Sequence, residues 1–190
     1  MNIGCALAIW VVFRFLRHLL ATTLRRKILM TDFDSAFIKV VGLEGGYSDR
    51  SDDPGGKTKY GITERVARDN GYVGDMKDLP LDFAERVYRV KYWDVCHLGQ
   101  IIAWPLKLFV FDAAVNQGPT AAARMLQQCL GVADDGVIGP QTISVANRST
   151  GWHAARFMAF RALSYTKDRG FDANGVGWLT RIFELMGNSK

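Results

Sequence analysis

The sequence predicts a mainly α-helical protein with one small irregular hairpin near residues 46–61. Apolar residues recur at helical spacing through most of the chain, and no stretch of useful length alternates polar and apolar residues as a strand does. The length of 190 residues and a composition that is 48% hydrophobic and 23% charged fit one ordinary globular domain.

The first predicted helix starts near Thr31 and ends near residues 43–44. Thr31 or Asp32 can cap its start, and the glycine pair at residues 45–46 breaks it. Its buried stripe consists of Phe33, Phe37, Val40 and Val41. Residues 45–61 then form a loop rich in Gly, Asp and Ser, and Thr63 caps a short helix that runs towards Asp69.

The second half of the chain alternates helical patterns with Gly and Pro. We expect helices over residues 82–93, from Pro105 to about residue 117, over 120–130, from Pro140, over 152–167 and over 177–186. The helix from Pro105 is apolar almost all round over residues 106–115, which is typical of a central, buried helix.

The net charge of +5 belongs entirely to residues 1–30. Residues 31–190 balance to zero, so we expect no nucleic-acid partner. The apolar run of residues 3–13 is shorter than the roughly 20 residues of a membrane span. Three interpretations stay open: Met30 is the true start, residues 1–30 contact the membrane as an anchor or signal-like segment, or they form a helix of the fold.

No metal or organic cofactor is expected. The three cysteines, Cys5, Cys96 and Cys129, form no CxxC pair, and the histidines form no HExxH pattern. The chain also lacks a GxSxG sequence, so a nucleophilic triad is not indicated.

Glu44 is the candidate general acid among only four glutamates. Glu64 lies at a predicted helix start, Glu85 precedes Arg89 by four residues, and Glu184 follows Arg181 by three, so each has an ordinary helical use. Glu44 has no such use, and the glycines after it allow it to face a cleft. A half-buried carboxyl there would keep its proton near neutral pH, as a glycosidase acid must. A surface glutamate at a helix end is the alternative.

A second carboxylate would come from the loop, which offers Asp49, Asp52 and Asp53. Asp53 is preferred because Pro54 makes it rigid, although turn formation alone also explains an Asp before Pro-Gly. Thr58, Tyr60 and Thr63 are candidates to position a water or to bind sugar hydroxyls; helix capping is the alternative for Thr63.

Other polar and aromatic residues are candidates for substrate contact. Asp112 and Asn116 lie on the most apolar helix, where they form a structural hydrogen-bond network or line a substrate groove. Tyr47 is the preferred aromatic for stacking on a sugar ring. The others that could stack are Tyr92, Trp93, Trp104, Trp152 and Trp178.

Several motifs in order resemble glycoside hydrolase family 108. These are residues 44–47 (EGGY), 53–63 (DPGGKTKYGIT), 88–93 (YRVKYW), 111–118 (FDAAVNQG) and 177–181 (GWLTR). Residues 126–127 (LQ) and 135–142 (DGVIGPQT) resemble a peptidoglycan-binding signature. The resemblance covers about residues 31–187 and leaves residues 1–30 outside.

The resemblance implies a lysozyme-like helical domain over residues 31–190 that includes a peptidoglycan-binding-like segment at about 110–187. It implies an N-acetylmuramidase, found as phage endolysins or bacterial secretion-associated enzymes, that acts on peptidoglycan glycan strands in the cell envelope. Glu44 matches the family's catalytic glutamate. We expect a monomer. A non-catalytic peptidoglycan-binding module and a lytic transglycosylase are the alternatives.

Overall fold

A computed structural model describes residues 30–42, 46–49 and 56–189. The predictions for residues 1–29 concern a segment outside these ranges. Glu44, Asp52 and Asp53 also lie outside them. The helices described are α1 (Asp32–Val40), α2 (Glu64–Asp69), α3 (Leu81–Tyr88), α4 (Trp104–Gln117), α5 (Pro119–Leu130), α6 (Pro140–Ala146), α7 (Gly151–Tyr165) and α8 (Phe171–Gly187). The predicted mainly α, lysozyme-like class is confirmed.

Helix α1 starts as predicted and ends earlier. Thr31 accepts from the N–H of Asp34 at 3.2 Å, and the Asp34 carboxylate accepts from the N–H of Thr31 at 2.8 Å. The predicted end near residues 43–44 is wrong, because the helix stops at Val40. Gly42 adopts φ +80°, a left-handed conformation that glycine takes without strain, so the chain turns there before it reaches the glycine pair.

The predicted hairpin is present and short. Strands β1 (Thr58–Lys59) and β2 (Ile62–Thr63) pair antiparallel, with Thr58 opposite Thr63. Tyr60 and Gly61 form the two-residue turn with φ 52° and 71°, a combination of positive angles that suits the twist of a tight hairpin. Ser48 adds a bridge to Thr58 on the other side of β1.

Helix α3 starts one residue before its predicted start, after Pro80, and does not continue as a regular α-helix to residue 93. Residues Arg89–Asp94 form π-helical turns, which are wider than α-helical turns. Trp93 lies in these turns and in the core, where its ring meets those of Phe33 and Phe111 edge-on at 5.5 Å.

Helix α4 is the buried centre of the fold, as predicted. Every residue of α4 from Leu106 to Ala114 is buried, including Lys107 and Asp112. It packs against α1, α5 and α7. The Lys107 ammonium reaches the Asp32 carboxylate at 2.5 Å, so the buried cation has its counter-ion at the start of α1.

The last helix is longer than predicted. It begins at Phe171 instead of residue 177. Within it, Gly175 allows the Phe171 ring to pack closely, since a Cβ on Gly175 would lie 2.7 Å from that ring. None of the described helices has the length and apolar character needed to cross a membrane.

Candidate active site

The described residues on either side of Glu44 are held by two different elements. Before it, α1 ends in the turn at Gly42. After it, Ser48 and Thr58 exchange two backbone hydrogen bonds of 2.8 Å each. The chain therefore passes from the end of α1 to the edge of the hairpin within the segment that contains Glu44.

Tyr47 and Asp49 lie beside this hairpin edge. The Tyr47 hydroxyl donates to Asp49 Oδ2 at 3.1 Å, and the Lys77 ammonium lies 5.5 Å from the Tyr47 ring centre. Partial desolvation, together with the bond to Asp49, raises the pKa of Tyr47. Asp49 is exposed. Of the three candidate aspartates, it is the one that lies within the described residues.

The hairpin brings together three other predicted contact residues. Thr58 and Thr63 are opposite each other, and Tyr60 lies in the turn between them. The Thr58 hydroxyl donates to the Gly56 carbonyl at 3.2 Å. Thr63 accepts from the N–H of Val66 at 3.3 Å and so caps α2, which was the alternative interpretation.

Asn116 lies near the end of α4 and is exposed. Its amide donates to the Asp112 carbonyl one turn earlier in the same helix, at 2.7 Å. This hydrogen bond ties Asn116 to its own helix and not to the hairpin.

Tyr88 anchors the hairpin turn, a role that the sequence did not reveal. Its hydroxyl donates to the Tyr60 carbonyl at 3.0 Å, and its ring packs edge-on against Phe37 of α1 at 5.5 Å. Burial raises the pKa of Tyr88 to about 12. The only available signal was the place of Tyr88 in the motif at residues 88–93.

Asp112 is at the centre of an ion-pair network under α1. Its carboxylate is fully buried and lies 2.5 Å from Arg161 Nη1, an ion pair without a directed hydrogen bond. Arg181 Nε donates to the two carboxylate oxygens at 3.0 and 3.3 Å. Asp112 thus has the structural role that was one of its two interpretations, and the predicted pairing of Arg181 with Glu184 is wrong.

The structure shows the ion-pair partner of Glu64 and tests the predicted pair of Glu85 with Arg89. Glu64 bonds to Arg68 at 2.7 Å, one turn along α2. The predicted Glu85–Arg89 pair is wrong, because Arg89 faces Asp34 at 3.8 Å and lies 4.1 Å from the centre of the Phe33 ring.

The segment that resembles a peptidoglycan-binding signature is built around one buried side chain, that of Gln127. Gln127 Nε2 donates to Asp135 Oδ1 at 2.7 Å and to the Val137 carbonyl at 2.9 Å, and Gln127 Oε1 accepts from the N–H of Gly136 at 2.9 Å. The Val137 N–H also donates to the Asp135 carboxylate. This bond, and the one from Gln127, lower the pKa of Asp135. The polar groups of the signature therefore fold the loop between α5 and α6.

The candidate stacking aromatics have different environments. Trp93 is in the core and cannot stack on a sugar. Tyr92, Trp104 and Trp178 are half-buried, and Trp178 is stacked on Tyr165. Trp152 is 62% exposed. Within the described ranges, no three His, Cys, Asp or Glu side chains are grouped to hold a metal ion.

Comparison with known proteins supports the resemblance to one family. Residues 37–118 match the family model described as Glycosyl hydrolase 108, a span that includes Glu44, the hairpin and α4. The resemblance to family 108 is confirmed. The solved structure of Brucella abortus SagA is similar to this chain, with a TM-score of 0.71 and 29% sequence identity over 83% of this chain and 92% of that chain. No curated protein matches the chain.

Family 108 implies a glycoside hydrolase that acts on peptidoglycan, which fits action outside the cytoplasm. The family match ends at Gly118, so α5 to α8, with the Gln127 network and Arg181, lie beyond it.

Proposed function

We propose that this protein is an N-acetylmuramidase that hydrolyses the β-1,4 bond between N-acetylmuramic acid and N-acetylglucosamine, with Glu44 as general acid. One observation carries the proposal: Glu44 lies in the EGGY motif inside the family-matched span, between the end of α1 and the hairpin edge at Ser48. Glu64, another acid of that span, is bonded to Arg68.

Glu44 protonates the glycosidic oxygen as the bond breaks. This role needs a carboxyl that keeps its proton near neutral pH, and a general acid of this kind contributes roughly 10²–10⁴-fold to the rate. No metal or organic cofactor takes part in the proposed mechanism.

A second carboxylate stabilises the developing positive charge or directs the attacking water. Asp53 is our choice, because Pro54 restricts its backbone. Asp49 and Asp52 are the alternatives, and the carboxylate of Asp49 already accepts a bond from Tyr47. Replacement of each aspartate by asparagine tests this choice, with the largest fall in kcat expected for Asp53→Asn; a larger fall for Asp49→Asn or Asp52→Asn would reassign the role.

The substrate contacts lie along the hairpin. Tyr47 offers an aromatic ring beside the Lys77 ammonium. Thr58, Tyr60 and Thr63 follow on one short hairpin, and the capping bond leaves the Thr63 hydroxyl hydrogen available to a sugar oxygen. Asn116 is a further candidate because its side chain is exposed on α4.

Mass spectrometry of digested peptidoglycan separates this proposal from its two alternatives. The muramidase yields fragments with a reducing N-acetylmuramic acid end. A lytic transglycosylase yields an anhydro end, and a non-catalytic binding module releases no fragment. The bonds among Gln127, Asp135 and Gly136 favour the hydrolase over the module, since the polar groups of the signature are used within the fold.

We further propose that residues 31–190 form one domain, which includes the segment at about 110–187, and that it works as a monomer on the cell envelope. N-terminal sequencing of natively expressed protein tests the role of residues 1–30. A mature chain that begins at Met30 would remove the proposed membrane contact. Lysis of whole bacteria by added protein tests an endolysin role.

A further inference from the structure

Arg181 connects the buried ion pair to the last residue of α1. Its Nε donates to the Asp112 carboxylate, and its Nη2 donates to the Val40 carbonyl at 3.1 Å. Val40 is the final residue of α1, whose unpaired carbonyls carry the partial negative charge of a helix C-terminus. One guanidinium therefore fixes α8, α4 and the end of α1 relative to one another.

Charge neutralisation alone does not explain this arrangement. Asp112 already has Arg161 as a buried counter-ion at 2.5 Å. Arg181 adds a second, partly exposed cation, with 39% of its side chain accessible to solvent. Its distinctive contribution is the bond to Val40, which an ammonium on a flexible chain cannot reproduce while it also bonds to the carboxylate.

We propose that Arg181 is a positioning residue for the catalytic carboxyl of Glu44, and this inference rests on the proposed function. Glu44 follows Val40 by four residues, which span at most about 14 Å of extended chain. Because the Arg181 bond fixes the end of α1, four residues before Glu44 in the sequence, we expect its loss to lower the rate of the step that Glu44 catalyses. A misplacement of about 1 Å costs on the order of 10²-fold in rate.

Arg181→Ala is the first test, with kcat and KM measured on solubilised glycan strands. The expected result is a fall in kcat of about ten- to a hundredfold with KM within about twofold of wild type. The matched control is Arg156→Ala. Arg156 Nη1 donates to the Cys129 carbonyl at 2.8 Å, near the end of α5, so this variant also removes an arginine from a helix-end carbonyl. Its kcat should stay within twofold of wild type.

Chemical rescue separates positioning from general destabilisation. Arg181 lines an open pocket of about 330 Å³ together with Lys39 and Glu184, so a small cation can reach its place. Low millimolar guanidinium should restore part of the kcat of Arg181→Ala, whereas urea at the same concentration should not. Arg156→Ala should respond to neither.

If Arg181→Ala does not fold, Arg181→Lys replaces it, because the ammonium can still pair with Asp112; its kcat should fall and its KM should not. A folded Arg181 variant with kcat within twofold of wild type, or an equal fall in Arg156→Ala, would overturn the inference. Glu44→Gln is assayed in parallel. An inactive Glu44→Gln beside a fully active Arg181 variant refutes only this inference, and an active Glu44→Gln refutes the proposed function.

Discussion

The hydroxyl of Tyr88 donates a hydrogen bond to the carbonyl oxygen of Tyr60 across 3.0 Å. The bond joins the end of α3 to the turn of the hairpin, and the Tyr88 ring also packs against Phe37 of α1. One side chain therefore fixes the hairpin relative to the helix that leads to Glu44.

Tyr88→Phe should lower the free energy of unfolding by about 1 kcal/mol, because it removes one hydrogen bond and keeps the ring. Urea denaturation measures the change. Tyr92→Phe is the control, since Tyr92 is half-buried and its ring lies 5.5 Å from that of Tyr88. Equal losses of unfolding free energy in the two variants would show that the bond from Tyr88 to the Tyr60 carbonyl adds nothing to stability.

The pH dependence of stability should report the burial of Tyr88. Its pKa is about 12 in the folded protein, against about 10 in the unfolded chain. The unfolded state therefore binds fewer protons between pH 10 and 12, and stability falls as the pH rises through that range, by on the order of 2 kcal/mol.

The buried Cys96 thiol, whose pKa is also raised to about 12, adds to this loss in both wild type and Tyr88→Phe. The difference between the two proteins isolates the tyrosine: unfolding curves at pH 9 and pH 11 should show a smaller loss for Tyr88→Phe. Parallel losses would contradict the assigned pKa.

Gly61→Ala should be more damaging than Gly71→Ala. Both glycines have positive φ, 71° and 86°, so alanine costs roughly 1–2 kcal/mol at either position. At Gly61 the new Cβ would also lie 2.5 Å from the Tyr88 hydroxyl oxygen, whereas at Gly71 it meets nothing within 4 Å.

Thermal unfolding should show that Gly61→Ala loses about 1 kcal/mol more stability than Gly71→Ala, because the new Cβ also displaces a hydrogen bond of about that value. In a Tyr88→Phe background that extra loss should shrink, because the clashing oxygen is gone. Equal melting temperatures for the two single variants would rule out the contact.

Gln127→Leu should destabilise the protein by on the order of 3 kcal/mol and leave the specific activity of the folded fraction unchanged. The substitution leaves the Gly136 N–H and the Val137 carbonyl without their partner. Gln128→Leu is the neighbouring control, since Gln128 is exposed and its side-chain amide donates to Asp134. A stable Gln127→Leu with reduced peptidoglycan binding would show that the signature binds substrate.

Periodicity predicted most of the fold because its helices bury regular stripes. The segment at residues 106–115, which is apolar almost all round, does form the central helix. The errors occur where backbone conformation overrides pattern: Gly42 ends α1 before the glycine pair, and α3 changes to π-helical turns at Arg89. In α8, Gly175 is favoured by close contact with Phe171, which a helix-propensity argument does not include.

The candidate site was predictable where its residues are consecutive in sequence. Tyr47, Thr58, Tyr60 and Thr63 were identified from one segment, and Ser48 pairing with Thr58 brings that segment together. Tyr88, Arg161 and Arg181 were not, because each acts over a long sequence separation: Arg181 reaches Val40 across 141 residues. Spacing rules describe neighbours on one helix, so they paired Arg181 with Glu184.

The most direct test of the account is kcat of Glu44→Gln on solubilised peptidoglycan, beside Glu64→Gln and Glu85→Gln as matched controls. Glutamine keeps the size and removes the transferable proton. We predict that Glu44→Gln loses about 10²–10⁴-fold in kcat while both controls stay within a few-fold of wild type. Activity of Glu44→Gln within about tenfold of wild type would contradict its role as the general acid.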